Sequence, residues 1–121
     1  RYRELLAAQP APEEKFTLYF ETGGAQLTPE SMAQLADLIS RARARPGGEI
    51  IVTGHTDSVG AGPANDQLSL QRASAIRDLL VARGFDASRV DAVGRGEREP
   101  IVVTPDNTPE PRNRRAEITI R

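Results

Sequence analysis

Apolar residues alternate with more polar ones near both ends of the region from residue 15 to residue 121. Phe16, Leu18 and Phe20 occupy every second position of one segment, and an alternation of the same period recurs near Ile118. This period of two is typical of a β-strand with one face in the core and the other in solvent. Residues 50–52 are a short β-branched run, and residues 90–94 are one more short segment of strand type. With the two alternating segments, they predict four strands, near residues 16–20, 50–52, 90–94 and 116–120.

Apolar residues at helical spacing predict two helices between these strands. The first is expected to begin at Thr28, which is suited to cap a helix, followed by Pro29 at the first helical position. Glu30 then lies near the positive end of the helix dipole. The proline and two glycines at residues 46–48 end this helix.

The second helix is predicted to begin at about Ala64 or Asn65 and to end at Gly84. Residues 95–115 are polar and contain four prolines, which favours a loop. The order is therefore strand, helix, strand, helix, strand, long loop, strand. Because the first and last strands alternate, each has one wet face. This indicates an α+β fold of two layers, with the helices on one face of the sheet.

Length and composition narrow the class of protein. The 121 residues suffice for one domain, and we expect residues 1–14, which are partly Pro/Ala-rich, to be a linker or N-terminal extension before a domain at 15–121. Sixteen basic against 17 acidic residues give a net charge of −1, which disfavours bulk nucleic-acid binding. The chain has no cysteine, so disulfides and thiolate chemistry are excluded.

The sequence contains no apolar run as long as the roughly 18 residues of a membrane-spanning helix. We therefore expect contact with a membrane only through other parts of a parent protein. The chain begins at Arg1 rather than Met, which is expected of an excised or processed piece.

The loop after the second predicted strand is the candidate site, because ligands of such folds lie where strands end. It contains His55, Thr56 and Asp57, and Arg72 follows about two turns into the next helix. Arg72 borders the apolar face of that helix, so its charge needs a partner. From the residues alone, Asp57 and Arg72 are either a ligand-binding pair or a structural salt bridge that orders the loop.

Other kinds of site are weakly indicated. His55 is the only histidine, and a hydrolase would also need a nucleophile or a metal, so we expect His55 to be structural or to line the rim of the site. The segment 94–97 lacks the third glycine of a phosphate-binding loop and is predicted to be a turn. The basic cluster at 112–115 lies among prolines, which favours carboxylate pairing over nucleic-acid contact. No enzyme, metal site or cofactor is predicted.

Four separate blocks resemble those of one family, in the same order. The blocks are TGHTDSVG at 53–60, NDQLSLQRA at 65–73, GRGEREP at 94–100 and NRRAEI at 113–118. Through them the chain resembles the OmpA-like domain, the peptidoglycan-binding module of outer-membrane protein A, peptidoglycan-associated lipoprotein and the flagellar stator B protein. The resemblance covers roughly residues 15–121. It implies a mixed sheet of order 1-4-2-3, with the last strand antiparallel to its neighbours, and a periplasmic domain of a membrane-anchored or outer-membrane-associated protein.

The resemblance also implies a ligand, the diaminopimelate of the peptidoglycan stem peptide, whose side-chain end carries an ammonium and a carboxylate. By position, Asp57 matches the acidic residue that takes the ammonium, and Arg72 matches the arginine that takes the carboxylate. Asn65 and Arg114 match further pocket positions, and Thr56 adds a hydroxyl or backbone contact. A zwitterionic group needs such an anion and a bidentate cation close together. We expect Asp57 and Arg72 to pair with each other in the empty site.

The chain departs from the family in two places. The family often has Phe-Asp-x-Asn after the first strand, where this chain has Phe20-Glu21-Thr22-Gly23-Gly24. The segment before Asn113 is short and contains two prolines, so no full helix is expected there. The first departure motivates an alternative function, a protein-interaction or dimerisation domain of an envelope secretion or motor assembly with weak or no wall binding. A homodimer is compatible with either function.

Overall fold

The computed structural model describes residues 12–121. The predicted order of elements is confirmed, and most of the predicted extension 1–14 lies outside the described residues. Glu14, its last residue, already belongs to the first strand. The elements are β1 (Glu14–Tyr19), α1 (Pro29–Arg43), β2 (Ile50–Gly54), α2 (Gly62–Ala82), β3 (Val90–Gly94) and β4 (Arg115–Ile120), with single 3-10 turns at Ala87–Arg89 and Pro111–Asn113.

The four strands form one mixed sheet in the order β1-β4-β2-β3. β4 is antiparallel to both of its neighbours, and β2 and β3 are parallel. Ile118 of β4 lies opposite Phe16 on one side and Val52 on the other. The implied strand order is therefore confirmed, and it places the end of β2 beside the beginning of β4, with the end of β3 on the other side of β2.

Both helices pack on one face of this sheet and share a single apolar core with it. Along β4, Ala116, Ile118 and Ile120 are buried, whereas Glu117 is exposed, as the alternation predicts. Leu38 of α1 and Leu80 of α2 are both fully buried in the same cluster. Within residues 12–121, no helix has both the length and the apolar content that a membrane span requires.

The helix starts follow local chemistry. Thr28 caps α1, and its hydroxyl accepts a hydrogen bond from the backbone N–H of Ser31 at 3.3 Å. α2 begins at Gly62, two residues before the predicted Ala64. The difference arises because Pro63 lies in the first turn, where a helix does not use the N–H that proline lacks.

α2 lies very close to the ends of β2 and β3, and glycines make this possible. A Cβ atom on Gly54 would overlap the carbonyl oxygen of Ser69, and a Cβ atom on Gly94 would overlap the Ser69 hydroxyl and the backbone of Leu70. The close approach brings the first turns of α2 against the loop that follows β2. Residues from both elements therefore meet in one place.

Candidate functional site

Asp57 lies in the loop after β2 and is 7% exposed. Backbone hydrogen bonds fix the loop before it, from His55 N to Arg115 O at 2.8 Å and from Thr56 N to Gly96 O at 2.9 Å. The Asp57 carboxylate accepts three hydrogen bonds, from Arg114 Nη1 at 2.8 Å, from Glu110 N at 3.2 Å and from Val59 N at 3.3 Å. A carboxylate offers about four lone-pair sites, so one remains for a further donor.

Arg72 projects from α2 and is only 1% exposed. Its guanidinium donates to three backbone carbonyls: Nε to Gly24 O at 2.8 Å, Nη1 to His55 O at 2.9 Å and Nη2 to Glu21 O at 3.2 Å. A guanidinium has five N–H groups, so two remain, one on each Nη atom. Two N–H groups on a guanidinium are the number that a bidentate contact with a carboxylate uses.

Burial lowers the pKa of Arg72 to about 10, while the nearby Asp57 carboxylate acts in the opposite direction. Arg72 is therefore still a cation at neutral pH. The Phe20 ring also supports its charge, because the guanidinium carbon lies 5.3 Å from the ring centroid.

The expected ion pair between Asp57 and Arg72 is not formed. Asp57 pairs with Arg114 at 2.8 Å, and both side chains are about nine-tenths buried. The charge of Arg72 is compensated by carbonyl dipoles of the segment 21–24 and by His55 O. The predicted partner of Arg72 was wrong because the residue types of a loop do not indicate where its backbone carbonyl oxygens lie.

Asp57 and Arg72 nevertheless face the same space. A cavity of about 390 Å³ lies between the β1–α1 loop, the β2–α2 loop and α2. Its wall thus contains a buried anion and a buried cation, together with apolar side chains. The lining residues are Thr22, Gly23, Asp57, Val59, Asn65, Leu68, Arg72, Asn107 and Pro109.

The other three predicted site residues have different positions. Asn65 lines the cavity, and its amide nitrogen lies 3.4 Å from Asp57 O and 3.3 Å from Glu97 Oε1. Arg114 contributes by holding the Asp57 carboxylate. Thr56 does not line this cavity: its hydroxyl donates to Asp57 O at 2.8 Å, and the residue borders a separate polar cavity of about 170 Å³.

His55 lies behind the site rather than in it. It is 2% exposed, and neither ring nitrogen has a hydrogen-bond partner among the described residues. Burial, and then the charge of Arg115, lower the pKa of His55 to about 4. The imidazole is therefore neutral at physiological pH. His55 contributes to the site through its backbone carbonyl oxygen, which accepts a hydrogen bond from Arg72.

Two residues that the sequence analysis did not single out hold the proline-rich loop before β4 in place. Ser58 Oγ accepts from Thr108 N at 2.9 Å and lies 2.9 Å from Pro105 O. Asn113 Oδ1 accepts from the backbone N–H groups of Ile101 and Val102 at 2.9 and 3.0 Å. These bonds bring Asn107 and Pro109 to the cavity. The signal for Asn113 was present in the fourth sequence block, whereas nothing marked Ser58 as a loop anchor.

Comparison with known proteins shows the family of this chain. Residues 19–115 match the OmpA family. The chain belongs to the OmpA family. This family is structural rather than enzymatic, so the prediction that the domain is not an enzyme is confirmed.

Within the aligned regions, relatives are identical to this chain at about a third of the positions. Outer membrane protein A of Bordetella avium is 35% identical over 102 residues, which are 84% of this chain and 53% of that protein. Peptidoglycan-binding protein ArfA of Mycobacterium tuberculosis is 37% identical over 103 residues, 84% of this chain and 31% of that protein. The chain thus spans about half or less of the length of these relatives.

Solved structures of the OmpA family have the same fold. The peptidoglycan-associated lipoprotein from Burkholderia pseudomallei superposes with a TM-score of 0.77 at 26% identity, covering 87% of this chain and 89% of that one. The cell wall anchor of the T6SS from Pseudomonas aeruginosa superposes with a TM-score of 0.72 at 32% identity, covering 89% and 80%. The domain is therefore of the type found in envelope proteins.

Proposed function

We propose that this domain binds peptidoglycan noncovalently through the diaminopimelate of the stem peptide, and so anchors a parent envelope protein to the cell wall in the periplasm. One observation carries the proposal: Asp57 and Arg72 are both buried and both line the cavity of about 390 Å³. Relatives support it by name, since ArfA is a peptidoglycan-binding protein and one structural neighbour is a cell wall anchor.

The chemistry of the cavity suits a group with both charges. The remaining acceptor site of Asp57 would take the ligand ammonium, and the two remaining N–H groups of Arg72 would take the carboxylate. Both protein charges are already compensated in the empty site, by Arg114 and by carbonyl oxygens. The site therefore has its shape before the ligand arrives, which lowers the ordering cost of binding.

Lysine is the informative competitor because its side chain ends in an ammonium without a carboxylate. We expect the domain to sediment with diaminopimelate-type peptidoglycan and to be released by free diaminopimelate, but not by lysine at the same concentration. Release by both amino acids alike would contradict the role of Arg72. Equal recovery with and without peptidoglycan would reject wall binding and favour a protein-interaction or dimerisation domain.

Arg72→Lys tests the bidentate contact. An ammonium cannot offer two parallel N–H donors, so we expect a loss of at least tenfold in affinity for diaminopimelate-type peptidoglycan. Arg77→Lys is the matched control, because Arg77 lies on the same helix and also donates to two carbonyls, Val90 O and Ala87 O, but does not line the cavity. Equal binding by the two variants would exclude the contact.

A further inference from the structure

A second polar pocket lies at the other end of the domain. Its volume is about 150 Å³, and it lies where both helices end. Arg83 follows Arg72, which lines the cavity of Asp57, by 11 residues and so lies about 16 Å further along the axis of α2. We call it the arginine pocket, and it is lined by Arg43, Pro46, Arg83, Gly84, Phe85 and Arg89.

The three guanidinium groups of the arginine pocket form no ion pair with a carboxylate of the described residues. Within residues 12–121, none of them forms an ion pair at 4.0 Å or less, whereas the neighbouring Arg41 and Arg45 both pair with Glu14, at 2.7 and 3.3 Å. Arg43 is exposed, as is Arg83. The chain thus neutralises the arginines beside the pocket and leaves those in it without carboxylates.

Phe85 lies beside two of these guanidinium groups. The ring is buried, and the guanidinium carbons of Arg43 and Arg89 lie 5.9 and 5.7 Å from its centroid. Both distances are in the range of a cation–π contact. The ring has no net charge, so both guanidinium groups keep their positive charge and can attract an anion.

Carbonyl oxygens near the helix ends accept hydrogen bonds from two of these arginines, but they offset only part of the positive charge of the arginine pocket. Arg89 donates to Gly48 O at 2.7 Å and to Arg45 O at 3.0 Å, and Arg43 donates to Arg83 O at 3.0 Å. Each helix end carries about half a negative charge, so two ends offset about one of the three positive charges.

One acidic side chain lies near the arginine pocket, but it does not form an ion pair there. Asp86 lies near Arg89 and is exposed, and its Oδ1 accepts from the N–H and the hydroxyl of Ser88. It forms no ion pair with Arg89 within 4.0 Å. N–H groups of Arg43 and Arg89, and the whole guanidinium of Arg83, are without hydrogen-bond partners in the described part of the chain.

We propose that the arginine pocket binds a phosphate ester group. Several guanidinium forks around one small space match an oxyanion with several acceptor oxygens, and Arg is the residue that presents such forks to phosphate. The volume suits a phosphate group rather than a large ligand. The phosphate would belong either to a small soluble ester or to the headgroup of an anionic phospholipid.

Glycerol 3-phosphate and vesicles distinguish these sources. In the first arm, backbone amide shifts of Gly84 and Phe85 are followed by NMR during titration with glycerol 3-phosphate, with glycerol as the blank. In the second arm, the chain is sedimented with phosphatidylcholine vesicles with and without phosphatidylglycerol. No peptidoglycan is present, so the result is independent of the proposed wall binding.

Arg83→Gln is the test variant because its side chain makes no hydrogen bond among the described residues. We expect it to weaken phosphate binding about tenfold, as the loss of one charge-assisted contact does. Arg41→Gln is the matched control, with the same charge change in the last turn of α1 but a guanidinium that lies outside the pocket and is already paired with Glu14. Arg43→Gln repeats the test if the melting temperature of Arg83→Gln is lowered.

The outcomes separate cleanly. Binding in either arm that the Arg83 variant loses and the Arg41 variant keeps supports the proposal, and the vesicle arm then identifies a lipid source. Shifts without vesicle binding identify a soluble ester. The absence of binding in both arms overturns the proposal, and so does an equal loss in the two variants.

Discussion

Asp57 carries one charge, yet it has two tasks in this structure. It neutralises Arg114 at 2.8 Å and faces the cavity that Arg72 lines. Two backbone N–H groups, from Val59 and Glu110, fix its orientation. A residue with this double task cannot be changed without affecting both folding and binding, and the two effects need separate measurements.

Asp57→Asn is expected to lower the free energy of unfolding and to abolish most wall binding. The change leaves the Arg114 guanidinium buried without its anion, which costs on the order of 3 kcal/mol. Urea denaturation measures the first effect and peptidoglycan sedimentation the second.

The double variant Asp57→Asn/Arg114→Gln separates the two tasks. It removes the unpaired cation, so we expect it to regain stability relative to the single variant but not to regain binding. Full binding in the double variant would show that the Asp57 charge does not contact the ligand.

His55 makes folding sensitive to mild acid. Its pKa is about 4 in the folded domain against about 6.5 in the unfolded chain, so the unfolded state binds the extra proton between these values. The stabilisation is complete above pH 6.5 and is lost as the pH falls towards 4. Between pH 7.5 and 5.5 we expect a loss of about 1 kcal/mol in the free energy of unfolding.

Urea titrations at these two pH values measure the loss, and His55→Gln is the control. Because His55 is the only histidine, the variant should lose most of the pH dependence in this range, whatever its absolute stability. An unchanged pH dependence in the variant would assign the effect to other groups.

At the scale of elements, the contact of α2 with the sheet decides where the site forms. The helix passes so close to Gly54 and Gly94 that neither has room for a side chain. This contact sets the distance between the start of α2, which supplies Asn65 and Arg72, and the loop with Asp57. Gly54 and Gly94 therefore determine the position of α2, and through it the shape of the cavity.

Gly54→Ala is expected to destabilise the fold by about 3 kcal/mol, because the methyl group would overlap backbone atoms of α2. Gly62→Ala is the matched control: a Cβ atom there meets nothing within 4 Å. We expect that variant to be neutral or slightly more stable, since alanine restricts the unfolded chain. Chemical denaturation of both variants checks the prediction, and equal stabilities would contradict it.

The elements were predictable where they depend on local patterns. Alternation predicted β1 and β4, and the cap at Thr28 predicted the start of α1. The pairing of Asp57 with Arg114 was not predictable in the same way, because 57 residues separate them and the contact depends on how the loop before β4 folds back. The partners of Arg72 were not predictable for a related reason: they are carbonyl oxygens, which every residue has.

At the scale of the whole molecule, we propose that residues 15–121 are the folding domain and that 1–14 are a linker or extension. Glu14 nevertheless pairs with Arg41 and Arg45, and its backbone lies opposite Ile120 in the sheet. A chain that begins at residue 12 should therefore keep the unfolding midpoint of the full chain.

A chain that begins at Lys15 should unfold at a lower denaturant concentration. Its free energy of unfolding should fall by about 1 kcal/mol, because it lacks the Glu14 ion pairs. Urea curves of the three lengths make the comparison. A large loss already in the chain from residue 12 would show that the first eleven residues belong to the folding unit.

The central position of β4 has a consequence for the time at which this fold can form. β1 pairs only with β4 within the sheet, and β2 joins β1 only through it. During synthesis on a ribosome, β1 emerges first and must wait for residues 115–120, about a hundred residues later, before it has a neighbour. The sheet therefore closes only after translation of β4, and until then β1 has no partner, although β2 and β3 can already pair with each other.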